Sequence, residues 1–171
     1  RYAKELHKDN CKIILQCSDT AMELMSKQKW INEVVSEDNI PDHDYHVHIG
    51  SMMNVLQTNP NKIHQEYPYL EAEKNKEECI EPDKLNIGVI LETNRESNAH
   101  DEESVDSDLM QNIFNETHNV ISLDEYLTNE KLPEIYNKHF DYANLSQLSS
   151  LISDLDLVVT VDHLVAHLAG A

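Results

Sequence analysis

Apolar positions along the chain fall into short blocks whose spacing switches repeatedly between that of a strand and that of a helix. The run Lys12–Gln16, with Ile13, Ile14 and Leu15, predicts a strand. Over Asp19–Gln28, Ala21, Leu24 and Met25 recur at helical spacing, and Glu33–Ser36 then reads as a second short strand around Val34 and Val35. Upstream, Arg1–Leu6 resembles the last turns of a helix closed by a polar turn at Lys8–Asn10. Downstream, a further strand is expected at Asp44–Ile49. The rhythm resumes at Asn86–Leu91, a strand. A helix capped by Ser107 or Asp108 follows, with Leu109, Met110, Ile113 and Phe114 on its inner face, and then a strand at Asn119–Leu123. Glu125–Asn137 reads as a loop, and His139–Tyr142 as a short strand or extended lead. At the end of the chain Leu145, Leu148, Leu151, Ile152 and Leu155 mark a helix. The unbroken run Leu157–Val161 predicts a strand buried on both faces, and Asp162 stands where the N-cap of a last helix belongs, with Leu164, Val165, Leu168 and Ala169 facing inward.

Alternating strands and helices predict an α/β chain of parallel sheets with covering helices, wound right-handedly. Between the two sets of elements, Asn54–Asp83 carries Pro60, Pro68 and Pro82 and the charge run Glu71–Glu78, which suits a connector plus a solvated helix. Two incomplete Rossmann-like halves are therefore expected, residues 1–78 and 79–171. No internal repeat is visible. The chain opens inside one apparent helix and stops inside another, the expectation for the central part of a larger protein that is inactive by itself.

Charge narrows the partners. Thirteen basic against 32 acidic side chains give a formal charge of −19, a poor surface for nucleic acid or an anionic membrane, whose phosphates are bound by Lys and Arg. No apolar run reaches the length of a bilayer crossing and no basic-then-apolar segment opens the chain, so a cytoplasmic protein without membrane insertion is expected. Cys11, Cys17 and Cys79 are odd in number and lack a Cys-x-x-Cys pair, which predicts reduced packing residues, with Cys11 and Cys17 on one face of a strand.

Two clusters carry candidate chemistry. His43, His46 and His48 precede Gly50-Ser51-Met52. On a strand His46 and His48 would share one face, and either could reach a ligand in a cleft, while a third and fourth metal donor are not evident, so no metal is expected. The second cluster is the turn after Val161. In a doubly wound sheet such a turn lies at the carboxyl edge of the strands, where backbone N–H groups and the helix dipole favour a phosphate.

That second stretch, Asp154-Leu-Asp-Leu-Val-Val-Thr-Val-Asp-His-Leu-Val-Ala-His-Leu-Ala-Gly-Ala171, resembles the donor-side motif of the heptosyltransferase-like glycosyltransferases, particularly bacterial proteins that join tetratricopeptide repeats to such a domain. Asp162 and His167 match the spacing of the family pattern, as do Ala166, Leu168, Ala169, Gly170 and Ala171. His163 stands where the family has a small hydroxyl residue. The element order of the first half, with Arg1-Tyr2 and Tyr67-Pro-Tyr-Leu70, resembles the family's acceptor-side half. The resemblance implies a two-domain, GT-B-type fold. It also implies transfer of a sugar from a nucleotide-diphosphate donor to a hydroxyl of a glycan or protein acceptor, with no further cofactor. It assigns Asp162, His163 and His167 to donor binding, leaves the catalytic residue unknown, makes His46 and His48 possible acceptor-side residues, and places any tetratricopeptide array elsewhere in the parent chain.

One stretch argues for a different reading. The family's cleft-facing loop after the first strand of the donor half is here Glu92–Ser104, strongly acidic with Arg95 as its one basic residue, and no lysine occurs between Lys84 and Lys131. A diphosphate would meet repulsion there, on the order of 1 kcal/mol for each like-charge contact at about 4 Å in water. A non-catalytic scaffold or binding module that keeps the fold is the alternative.

Overall fold

A computed structural model of the chain describes residues 2–8, 10–59, 67–75, 77–90, 117–124, 136–137 and 144–171. It is a mixed α/β structure with parallel sheets, divided into two compact units, Arg1–Glu71 and Ala72–Ala171. Among the described residues no helix is long and apolar enough to cross a membrane.

The first unit is a small β-α-β arrangement. Helix α1 (Tyr2–Lys8) precedes β1 (Ile14–Gln16), α2 (Asp19–Ser26) and β2 (Glu33–Val35), and the two strands pair in parallel with Leu15 opposite Val34. Asn10 closes α1 at φ 62, a left-handed position that asparagine tolerates better than most residues. Asn32 sets the strand register: its side-chain oxygen accepts from Ile13 N at 2.7 Å while its own N–H donates to Ile13 O at 2.9 Å. Leu24 of α2 is fully buried. Just beyond that helix, Gln28 is buried too, and its amide is satisfied on both sides, giving to Leu24 O and Glu71 O and accepting from Glu71 N at 2.9 Å.

The predicted strand Asp44–Ile49 does not form. Residues 42–51 are all exposed, and they run as irregular chain into a 3₁₀ turn at Ile49–Ser51 and the short helix α3 (Met52–Val55). Alternation alone cannot make a strand without a neighbour to take its backbone hydrogen bonds, and none of the described strands lies beside it. The predicted helix in Glu71–Glu78 is also absent from the described residues. Its backbone is committed elsewhere, Glu71 to Gln28 and, within the second unit, Asn75 N to Ser150 Oγ at 3.2 Å.

The second unit is built on a four-stranded parallel sheet. Its strands are β3 (Leu85–Ile90), β4 (His118–Ser122), β5 (Tyr136–Asn137) and β6 (Leu157–Thr160), in the order β5-β4-β3-β6. Helix α4 (Leu145–Asp154) leads into β6 and α5 (Leu164–Ala169) leaves it. Ile87, Val89, Ile90, Val120, Ile121 and Leu123 join Leu145, Leu148 and Leu151 of α4 and Val165 of α5 in the core. Three buried serines let α4 lie close to its surroundings. Ser149 Oγ donates to Ser146 O, and Ser150 Oγ accepts from Asn75 N.

At the amino edge of this sheet sits a buried polar knot. Asn86 in β3 lies opposite Asn119 in β4, and Asn119 Nδ2 donates to Asn86 Oδ1 at 2.8 Å and to Cys79 O at 2.6 Å. Asn86 Oδ1 also accepts from Glu81 N, and its Nδ2 donates to Glu81 O and Lys84 O. The Asn86 backbone exchanges two bonds with Asp156, N–H to Oδ2 at 2.8 Å and C=O from Asp156 N at 2.9 Å, at the entrance to β6.

Two expectations for this unit need correction. Strand β6 lies at an edge of the described sheet rather than buried on both faces; Leu157 is 47% exposed and the next three residues are half-buried. An unbroken apolar run reports strand propensity but not how many neighbours the strand has. Tyr136–Asn137, expected in a loop, pairs with β4, an element of two residues that carries no periodicity to read. The acidic loop Glu92–Ser104, the helix from Asp108 and the segment His139–Tyr142 lie outside the described residues.

Gly88, mid-strand in β3, is where packing is tightest: a Cβ there would come within 2.5 Å of Leu155 Cδ1 and 2.8 Å of Leu123 Cδ1. Gly88→Ala is expected to destabilise the second unit by about 1–3 kcal/mol through overpacking, read as a lower urea midpoint. An unchanged midpoint would show that the two leucines repack freely.

Candidate functional site

Among the described strands, the chain enters the second sheet at β3, moves outward through β4 and β5, then returns to the opposite side of β3 as β6. Numbered within the unit, the spatial order is 3-2-1-4. The direction of winding reverses between β3 and β6, and in open α/β sheets the ligand crevice lies outside the carboxyl ends of the strands at such a switch point. Ile90 ends β3 there, and Thr160 ends β6. The turn Val161-Asp162-His163 therefore leaves β6 at that carboxyl edge.

His163, not Asp162, is the N-cap of α5. Its backbone is extended (φ −143, ψ 161), its carbonyl accepts from Ala166 N at 2.9 Å, and its Nδ1 accepts from Val165 N at 3.3 Å. Asp162 is exposed in the turn before it. Sequence preference favours aspartate as a cap, but the strand exit sets where the first helical carbonyl falls, one residue later than expected. Because Nδ1 accepts, the neutral ring carries its hydrogen on Nε2. Burial of the half-covered ring pushes the His163 pKa down from its ordinary value of about 6.5.

His167 is exposed in the last turn of α5, four residues and about 6 Å of helix rise beyond His163. The structure thus brings Asp162 and His163 together at the sheet edge and sets His167 one turn farther from it. The inner face of α5 is narrower than expected. Val165 is buried and Leu168 half-buried, whereas Leu164 and Ala169 are exposed, as a helix at the open side of the sheet would leave them.

The strand ends add groups that sequence reasoning did not single out. Ser122 is fully buried at the end of β4, and its Oγ accepts from Asp124 N at 3.2 Å. Thr160 Oγ1 donates to Val161 O at 2.9 Å. Small polar residues directly after apolar strand runs were the available signal. From Thr117 to Asp124 and from Asn144 to Ala171 there is no lysine or arginine.

The first unit's histidines are placed differently from the expectation of a shared strand face. His48 opens the 3₁₀ turn, its Nδ1 accepting from Gly50 N at 3.2 Å. His46 meets His43 edge to face, with ring centroids 5.7 Å apart, and His43 Nδ1 lies 3.0 Å from Pro41 O. The histidine pair that actually meets is thus His43–His46. Among the described residues, no group of three or more His, Cys, Asp or Glu side chains could hold a metal. Cys11, Cys17 and Cys79 form no disulfide. Cys11 and Cys17 lie before and after β1 rather than within it, and burial, with Asp19 adding, pushes the Cys17 thiol pKa up, away from a reactive thiolate.

Compared with protein-family models, curated proteins and solved structures, the chain matches none.

The cap makes α5 pH-sensitive. With the folded pKa of His163 lowered, the unfolded chain takes up a proton first as pH falls below about 6.5, so the stability held by the cap is complete above that value and is lost as pH drops toward the folded pKa. Protonation also removes the Nδ1 acceptor. His163→Ala is expected to lower stability at pH 7.5 by about 0.5–2 kcal/mol, and His163→Thr to keep most of it while flattening the pH dependence. Melting curves of the three proteins between pH 7.5 and 5 check this; parallel slopes would remove His163 from the account.

Proposed function

We propose that this chain belongs to a nucleotide-sugar-dependent glycosyltransferase, with the second unit as the donor half and the first as the acceptor half of a GT-B-type enzyme. One observation carries the reading: the stretch that resembles the family's donor motif falls on the turn that leaves β6 at the topological switch point of a parallel sheet. A motif match elsewhere in the fold would have no such support.

In this reading the acceptor hydroxyl oxygen attacks the anomeric carbon of the donor sugar. The bond from that carbon to the diphosphate oxygen breaks, the diphosphate leaves with the electron pair, and the hydroxyl proton passes to a general base. The donor side contributes charge stabilisation at the leaving group. His163 stands where the family has a small hydroxyl residue that touches a donor phosphate. Its Nδ1 caps α5 by accepting from Val165 N, which holds the ring at the turn where the donor phosphate would bind. Asp162, exposed in the same turn, and His167, one turn farther along, are the other donor-side residues of this reading. His46 and His48 remain acceptor-side candidates, His48 shaping the loop through Gly50 and His46 through its contact with His43. The donor is the only small-molecule requirement.

The scaffold alternative is favoured by one specific fact, the absence of Lys and Arg from the described residues at and after β4 in the second unit, where a diphosphate's charge would be balanced.

Calorimetric titration with uridine and adenosine diphosphates separates the two. On the enzyme reading at least one binds, with a Kd on the order of 1 mM or tighter. His167→Ala then weakens it several-fold without shifting the melting temperature, and His163→Thr binds at least as well as the parent. No binding heat at millimolar ligand, together with a stability loss in His167→Ala, supports the scaffold.

A further inference from the structure

We draw no further inference here: the strongest candidate, the run of exposed apolar side chains Ile40, Tyr45, Val47, Ile49, Met53 and Val55 on the loop and short helix after β2 of the first unit, carries nothing because nothing in the structure shows what covers it.

Discussion

The hydrogen bond from Asn119 Nδ2 to Asn86 Oδ1 is the constraint on which the second unit depends. Asparagine is poorly suited to strands, and two of them facing each other in adjacent buried strands would each cost a few kcal/mol if left unpaired. Here one bond joins them, Asn119 donating to Asn86, while the backbone of Cys79 takes the other Asn119 N–H bond and that of Glu81 and Lys84 bonds the Asn86 amide. A slip of one residue between β3 and β4 would part Asn119 Nδ2 from Asn86 Oδ1 and Cys79 O, while the bonds of Asn86 to Glu81 and Lys84, local to its own strand, would remain. The apolar strand faces favour burial in general; the asparagine pair selects one register. Through the Asn86 backbone, Asp156 places β6 on the other side of β3 with the same precision.

This leaves the two edges of the sheet with different characters. The amino edge is fastened by side chains that cross from strand to strand. At the carboxyl edge, short local bonds join Ser122 to Asp124, Thr160 to Val161, and His163 to Val165. Local bonds of this kind keep each turn in shape. The charge of this edge suits a phosphate poorly, since the described turn presents Asp162 and no basic partner.

The sequence was legible where a long-range outcome follows from local pattern. The runs around Ile87 and Val120 predict strands, the spacing from Leu145 to Leu151 predicts α4, and the alternation of elements predicts parallel pairing in both units. It was misleading where the outcome depends on a neighbour. Tyr45 to His48 alternate as a strand does, yet no described strand lies beside them, and Leu157–Thr160 reads as a central strand although its described neighbour is on one side alone. The position of the candidate site was legible from the stretch around Asp162, but the capping atom was not, because one residue of strand exit decides between Asp162 and His163. Asn86 and Asn119 gave no signal at all: a buried polar pair is recognisable only when both partners are placed.

The most direct test of this account is a double-mutant cycle on Asn86→Ala and Asn119→Ala, read by urea unfolding of the second unit's transition. If the pair fixes the sheet, each single change costs about 1–3 kcal/mol, and the double variant costs less than their sum by on the order of 1 kcal/mol, because the second deletion removes a group that the first had already orphaned. Additive losses, with a coupling below about 0.3 kcal/mol, would contradict the claim that these two side chains act as one lock.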